Sequence, residues 1–560
     1  MHVRLNPRRV APSMVGLTKL KGAAACREEG CPISGAGESR DTPERRRTRR
    51  LRHLGALSGL LAGYAAVAVA QLAATVYRPE ASPVVAVGGA TIDRTPGWLK
   101  DWAIRHFGTH DKLVLQLGIL VVLALLAMIL GVVASRHRRA GSAGVLLFGA
   151  LGALAATTRP GSTSPVDALP SVIGALIGAW LLYALTGRAA TPALGDPDWD
   201  RRGFVKVAVG AAVISTGASL LARSSGGLQQ QNAVSSRDGV KLPAPASPAR
   251  PTPANSQLRI PGISSFITPN KSFYRIDTAL VVPMLDAAQW RLKIHGKGVT
   301  RPVTLTFDDL LRRPLIERDI TMTCVSNEVG GSLVGNARWI GVPLAPLLAE
   351  SGVRPPSKGG PANQLVARSV DGMTIGSPVE DVMDGRDAML ALGMNGQPLP
   401  FKHGFPVRML VPGLYGYVSA CKWIKDIELT TFDAYDAYWV QRGWAQRAPI
   451  KTQSRIDTPK SFDHRKAGTV MVAGVAWAQH RGIEKVEVRV DDGPWQQATL
   501  AAVDTSDTWR QWSYQWQATH GKHHLTVRAT DDTGRTQPAK RTGPVPSGAT
   551  GWHSIEVEID

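Results

Sequence analysis

Cysteine is scarce in this chain: four occur in 560 residues, Cys26, Cys31, Cys324 and Cys421. That is too few for a disulfide framework at this size. Cys26 and Cys31 lie in a polar tail rich in Gly and Arg, and no second Cys/His pair stands near them, so no zinc site is expected there. Acidic residues are also in the minority, 44 Asp and Glu against 65 Lys and Arg, for a formal net charge of +21. Such an excess suits nucleic acid, an anionic membrane surface or an anionic ligand. Here the positive charge gathers near the N-terminus and in short loops between apolar runs. No basic helix with a groove-reading motif occurs, so a membrane is the expected partner and nucleic acid is not.

What is abundant is apolar sequence in long runs. Residues 1–50 form a basic arm without apolar periodicity, ending Glu-Arg-Arg-Arg-Thr-Arg-Arg (44–50), and are expected to be disordered. Runs at about 53–77, 112–134, 143–157, 170–187 and 204–222 follow, and a helix needs about 20 apolar residues to cross a bilayer. The third is short. The region 51–222 is therefore expected to hold about five transmembrane helices. The basic arm, Ser135-Arg-His-Arg-Arg139 and the segment ending at Arg202 belong on the cytoplasmic side. Five crossings put everything after residue 222 outside the cytoplasm. The string Asp200-Arg-Arg-Gly-Phe-Val-Lys206 before the fifth run also resembles a twin-arginine export signal. The expected localisation is thus a multi-pass cell-membrane protein with an extracytoplasmic soluble half.

Residues 223–257 are rich in Ser, Gly, Gln, Ala and Pro and read as a semi-rigid linker. In 258–445, strand patterns such as Trp290-Arg-Leu-Lys-Ile-His295 mix with helical ones such as Val342-Pro-Leu-Ala-Pro-Leu-Leu348. Their irregular order predicts an α+β domain and not a doubly wound sheet. From 446 to 560 short strands dominate, including 469–477, 486–490 and 524–529, separated by turn dipeptides such as Asp492-Gly493. That spacing predicts a β-sandwich.

Two segments carry chemistry. Cys324 closes a β-like run in Thr-Met-Thr-Cys-Val-Ser-Asn-Glu-Val-Gly-Gly (321–331). Alone, such a cysteine is more often a small core residue than a ligand. Asn327, Gly330-Gly331 and Gly335-Asn336, however, make a loop whose backbone can approach a bulky group closely. Downstream, His403, Arg408 and Lys422 lie among the turn residues Pro406, Pro412 and Gly413. Arg offers phosphate a planar fork, Lys a point charge and His a further donor. Cys421 is read as a packed residue beside Lys422.

These motifs resemble the sulfite oxidase family of molybdopterin enzymes, over roughly 258–560. The resemblance is carried by Met394-Asn-Gly-Gln-Pro-Leu-Pro400, His403-Gly-Phe-Pro-Val-Arg408, Val411-Pro-Gly413, Lys422-Trp423, Thr268-Pro-Asn270 and Trp339. In the sandwich it is carried by Asp491-Asp-Gly-Pro-Trp495, Trp509-Arg-Gln-Trp512 and Trp552-His553. It implies an α+β molybdopterin-binding domain and a C-terminal immunoglobulin-like domain of the kind that often dimerises. It implies Cys324 as the thiolate ligand to molybdenum, and Asn270, Arg338, His403, Arg408 and Lys422 as cofactor contacts. A soft sulfur ligand suits such a centre, and the cofactor supplies two-electron oxygen-atom transfer.

There are also departures from the family. Sulfite-oxidising members place Arg and His where Ile276 and Thr278 stand here, and Asn-Arg-Arg where this chain has Asn327-Glu328-Val329. Trp444 occupies the position of their substrate-pocket Tyr. Each charge-assisted contact to a small dianion is worth roughly 1.5–3 kcal/mol, so these changes argue against sulfite and for a larger or less charged substrate lined by Glu328 and Trp444. The predicted spans hold no interior His, since His53, His106, His110 and His137 fall at ends or in loops, so no haem is expected. The implied partners are a small-molecule substrate, the membrane and a cytochrome or quinone for electron transfer, with a homodimer left open. Two alternatives stay open at this point: a sulfoxide-type reductase running the reverse reaction, and a tethered, non-catalytic scaffold with a decayed cofactor domain.

Overall fold

A computed structural model of the chain describes residues 43–95, 106, 111–159, 162, 164–190 and 201–560. Cys26, Cys31, Asp200, His110 and residues 1–42 of the basic arm lie outside the described residues. The N-terminal part is helical: α1 (Pro43–Tyr77), α2 (Pro83–Arg94), α3 (Asp111–Ala134), α4 (Arg138–Thr158), α5 (Leu169–Ala190) and α6 (Arg201–Gly239). Among the described residues, five helices are long and apolar enough to cross a membrane, and α2 is not one of them. The short run at 143–157 belongs to a full 21-residue helix, α4. Its first residue, Arg138, is held there by donating to the Gly187 carbonyl at 3.1 Å.

The helices pack through small residues. A Cβ added to Gly59 would lie 2.0 Å from the Ala127 carbonyl oxygen, and one on Gly174 would lie 2.4 Å from that of Ala66. Only glycine allows backbones that close. Leu117, Val121, Leu125 and Ile129 of α3 and Trp180 of α5 are exposed on the outside of this bundle. At one end, the fully buried Asp167 carboxylate pairs with both Arg78 and Arg159 at 3.4 Å, tying the end of α1 to the segment between α4 and α5.

Two boundaries differ from those expected. Helix α1 begins at Pro43, inside the arm assigned to 1–50. The linker assigned to 223–257 is no tether, because α6 continues to Gly239 before the first proline, Pro243, can break it. Its end is bolted to the soluble domain. Arg237 donates to the Pro398 and Leu399 carbonyls, both at 2.8 Å, and the Ser236 hydroxyl accepts from the Ala287 N–H at 3.0 Å. Beyond it the Pro-rich stretch, unable to pair with itself, bridges through Ser247 to Ile316.

The domain that follows is α+β. One mixed sheet has the order β2 (Val303–Thr306), β1 (Arg291–Gly296), β10 (Ile424–Thr430), β5 (Gln364–Ser369), β6 (Thr374–Pro378), with β1 and β10 parallel. Period-two burial turns Leu292 and Ile294 of β1 into the core. A second, antiparallel sheet runs β3 (Ile316–Thr323), β4 (Val334–Pro343), β7 (Met389–Met394), β8 (Gln397–Pro398), with β9 (Arg408–Leu410) also paired to β7. The helix expected from 342 starts at Leu344, because Val342 and Pro343 complete β4.

The C-terminal part is a two-sheet sandwich. One sheet is β11 (Gln453–Thr458), β13 (Gly468–Trp477), β17 (Arg510–Ala518), β16 (Thr499–Leu500). The other is β12 (Asp463–Arg465), β19 (His553–Ile559), β18 (Gly521–Asp531), β14 (Ile483–Val490), β15 (Gln496–Gln497). Val472 and Trp512 of the first meet Val486, Leu525 and Val557 of the second in one core.

The cysteine loop rests on this sandwich. Gly330 has φ +80, and a Cβ there would lie 2.2 Å from the His553 ring. Left-handed strain for a non-glycine residue costs about 1–2 kcal/mol, and the clash adds to it. Gly330→Ala should therefore lose about 2–3 kcal/mol of stability, read by denaturant unfolding followed through tryptophan fluorescence. A change below about 0.5 kcal/mol would contradict this packing.

Candidate active site

The cleft is assembled by the end of β3 and the loop after it, the β5–β6 hairpin, the segment after β9, the segment 273–278, and Trp439 and Trp444. It is open to solvent and, with that open space included, encloses about 870 Å³. Cys324 follows β3 directly, and its N–H donates to the Leu333 carbonyl at 2.9 Å. Asn327 holds the loop closed: its backbone N–H donates to the Cys324 carbonyl at 3.0 Å, and its side-chain oxygen accepts from the Leu333 N–H at 2.8 Å. The thiol is buried and lines the cleft. Burial pushes its pKa up, against hydrogen bonds from Ser326 and the charge of Lys422.

Arg408, on β9, lines the same cleft and is buried, its guanidinium carbon 5.2 Å from the Trp339 ring centroid. Its Nη1 donates to the His403 carbonyl at 3.3 Å, and its Nε has no partner. Among the described residues no carboxylate pairs with it, and burial draws its pKa down to about 10. Lys422 is different. Its Nζ donates to the Ile276 carbonyl at 2.9 Å and pairs with Asp277 at 3.1 Å, while burial lowers its pKa to about 8.

His403 stands behind Phe273, ring centroids 5.6 Å apart, and its Nε2 donates to the Asn270 carbonyl at 3.2 Å. The buried Nδ1 is left without a donor. Burial first, then the Arg408 charge, depress the imidazole pKa to about 4. Asn270 also binds outward from the cleft: its amide donates to the Met394 carbonyl at 3.3 Å, and its side-chain oxygen accepts from Asn395 at 2.7 Å.

Two residues expected at the site lie elsewhere. Glu328 is exposed and does not line the cleft, because the Asn327-closed turn carries it to the surface. Arg338 points away from the cleft, its guanidinium in a two-point pair with Asp319 (2.9 and 2.7 Å) and a bond to Thr252 at 3.0 Å. Trp444 does line the cleft, its ring 5.7 Å from Tyr417 and 6.3 Å from Trp439. Residues not anticipated include Tyr274, Asp277 and Asp371. Tyr274 and Asp277 follow within seven residues of Asn270, so that segment was the signal that could have found them. Asp371 had none.

The donor set fits a large, phosphate-bearing, sulfur-bound metal cofactor. A buried guanidinium lacks both an anion and a partner for Nε, a buried imidazole nitrogen lacks a donor, and a buried thiol lines the same cleft. Molybdopterin would be held by Arg408, Lys422 and His403, with Cys324 at the metal.

Residues 279–439 match the oxidoreductase molybdopterin binding domain, and residues 448–560 match the Mo-co oxidoreductase dimerisation domain. The chain is 29% identical over 341 residues to mitochondrial sulfite oxidase of Mus musculus, covering 52% of this chain and 62% of that one. It is 27% identical over 351 residues to inducible nitrate reductase [NADH] 2 of Glycine max, covering 51% of this chain and 39% of that one. Among solved structures, it is similar to the sulfane dehydrogenase SoxCD from Paracoccus pantotrophus, with 26% identity, TM-score 0.45, and coverage of 52% of this chain and 84% of that one. The chain thus spans less than two thirds of the length of these two curated relatives.

His403 has a consequence for stability. Its folded pKa of about 4 lies below the ordinary 6.5, so the unfolded chain takes up a proton that the folded chain refuses. Stability is then whole above pH 6.5 and falls as pH drops toward 4. For the cofactor-free protein that loss should be about 3 kcal/mol. His403→Gln should remove this share and leave a comparable one from His553, whose pKa burial also lowers to about 4. Denaturant unfolding across that pH window checks this, and an unaltered pH slope in the variant would contradict neutral burial of His403.

Proposed function

We propose that this chain, whose residues 279–439 and 448–560 match molybdopterin oxidoreductase domains, is a membrane-anchored enzyme of the sulfite oxidase family acting on a small, weakly charged molecule outside the cytoplasm. The observation that carries the cofactor assignment is Arg408, a buried cation without a carboxylate on the wall that Cys324 shares. Bound in this cleft, the molybdenum cofactor supplies two-electron oxygen-atom transfer. When bound, the group would have the Cys324 sulfur for its metal and the Arg408 and Lys422 cations for its phosphate, with His403, oriented by the Asn270 carbonyl, behind Phe273. The aromatic wall of Trp439 and Trp444 keeps water from the reacting side.

The substrate class follows from charge. Lys422 is already neutralised by Asp277, Arg408 is reserved for the cofactor, and Asp371 adds a carboxylate to the rim. Ile276, Met322 and Met373 make most of the remaining wall apolar. A dianion such as sulfite finds no spare cation there. A neutral molecule with one oxidisable or reducible heteroatom fits better.

The apolar outer faces of α3 and α5 support membrane insertion. The end of α1, Arg159 and the C-terminal end of α6 gather beside the cofactor domain. The charge pattern puts all three on the extracytoplasmic side, which supports the same placement for the domain. The match of 448–560 to a dimerisation domain supports a homodimer formed through an immunoglobulin-like sandwich.

Protein from a cofactor-competent host should contain about one molybdenum per chain by metal analysis. Cys324→Ser should lower turnover by at least about a thousandfold with the unfolding curve unchanged, in a screen of neutral sulfur and nitrogen oxides and their reduced forms with artificial electron donors and acceptors. Full activity in that variant would refute the ligand role. For topology, a reporter that works only outside the cytoplasm should be active when fused after residue 260; a silent fusion would overturn the orientation.

A further inference from the structure

A second cavity separates the helices from the cofactor domain. It opens to solvent, and with that open space it encloses about 1760 Å³. Its walls come from α1, α2 and α6 on one side and the apolar segment 279–285 on the other. Thr278, Asp371 and Met373 line both this cavity and the catalytic cleft, so one thin wall serves the two. The junction is held in place: a Cβ on Gly88 of α2 would lie 2.9 Å from Leu280, and α6 is fixed to the domain through Arg237.

The cavity is amphipathic in a particular way. The space beside Gly89 of α2 and Gly226 of α6 is open, since a Cβ added at either meets nothing within 4 Å. Polar side chains are interspersed with the apolar ones, among them Gln71 and Thr75 of α1 and Gln229 and Gln230 of α6. Gln229 donates to the Thr75 carbonyl at 3.4 Å, and the Gln71 side-chain oxygen accepts from Ser82 at 2.6 Å. The buried Arg159 Nε is an N–H donor with no partner. The charges at this end cancel, Arg78, Arg159 and Lys425 against Glu80, Asp167 and Asp371. Such a site suits a neutral, flat head group carrying hydrogen-bond acceptors and an apolar tail, and suits an anionic head group poorly.

We propose that this cavity binds a lipid-soluble quinone, which exchanges electrons with the catalytic cleft across the wall of Thr278, Asp371 and Met373; the electron-transfer role rests on the oxidoreductase reading above. The stoichiometry matches. Oxygenation of a substrate X in the cleft, X + H₂O → XO + 2H⁺ + 2e⁻, releases two electrons and two protons. The quinone takes up both at its two carbonyl oxygens to give the quinol. With a reducible substrate the same couple runs in reverse, the quinol being oxidised as XO loses its oxygen to water. The side-chain amides of Gln229 and Gln230, on the cavity wall, are the donors placed to bind the carbonyl oxygens.

The test uses the full chain in neutral phospholipid vesicles, photolabelled with an azido-decylbenzoquinone and mapped by mass spectrometry. Label is expected in 222–230 and 279–285. It should fall at least about tenfold in Gly226→Trp, and likewise in Gly89→Phe, which fills the cavity from the opposite wall. Gly217→Trp is the control: Gly217 does not line the cavity, and a Cβ there also meets nothing within 4 Å. Molybdenum content and turnover with an artificial acceptor should stay at the wild-type level in both cavity variants. Label spread along the apolar helix faces, label unchanged in the filled variants, or a tightly held phospholipid that the quinone cannot displace would each overturn the proposal. Labelling at the cavity in protein that lacks molybdenum would uphold the binding site and count instead against the cofactor reading.

Discussion

Arg408 is buried with no carboxylate to meet it, and most of the cofactor domain is arranged around that fact. An unpaired charge in a protein interior costs several kcal/mol, so its position has to be enforced by everything around it. Strand β9 hangs on β7, the most deeply buried strand of its sheet, which fixes the arginine's backbone. Gly404, at φ +111, lets the chain pass so closely that a Cβ would lie 3.1 Å from the Lys422 Cα. That approach sets two cations and one histidine within a single fold of backbone. Asp277 neutralises one cation and leaves the other, so the site keeps one strong demand for an anion.

The sandwich is part of the same device. Gln479 donates to the Thr321 carbonyl at 2.9 Å and to the Thr323 hydroxyl at 3.0 Å, directly before Cys324. Arg455 reaches the Gly331 carbonyl at 2.6 Å, and Trp509 donates its backbone N–H to the Thr321 hydroxyl at 2.7 Å. Strand β3 and the loop that follows are thus gripped from the C-terminal domain as well as from β4. Val475, Trp477 and Trp509 even enter the hydrophobic core of the cofactor domain. The thiol's position is a product of two domains, and the sandwich stabilises it whether or not a second copy of the chain binds there.

Much of this was legible in the sequence, for reasons that can be named. The apolar runs, the period-two strands and the turn dipeptides are local signals, and the helices and sandwich follow them. His403, Arg408 and Lys422 were legible because one short segment carries all three. Glu328 and Arg338 were misplaced because proximity in sequence to Cys324 and Trp339 was taken for proximity in space. A turn closed by Asn327 sends the first to solvent, and Asp319, across the β3–β4 pair at the register position of Arg338, captures the second. Asp371 and the second cavity depend on contacts between segments about fifty or more residues apart, which no local pattern encodes.

The stretch after residue 222 shows how much such a misreading matters. As a semi-rigid linker of 35 residues it would extend at about 3.1 Å per residue, holding the cleft away from the helices with no lasting wall between them. Helix α6 instead runs unbroken to Gly239 and ends on the Pro398 and Leu399 carbonyls. A helix rises about 1.5 Å per residue, so the 17 residues from 223 to 239 form a strut of roughly 25 Å at a fixed angle. A fixed strut is what allows Gly226 of a helix and Leu285 of the cofactor domain to line one cavity. Continuity of a polar helical segment, which the composition alone argued against, is therefore the condition for any direct traffic between the apolar helices and the redox cleft.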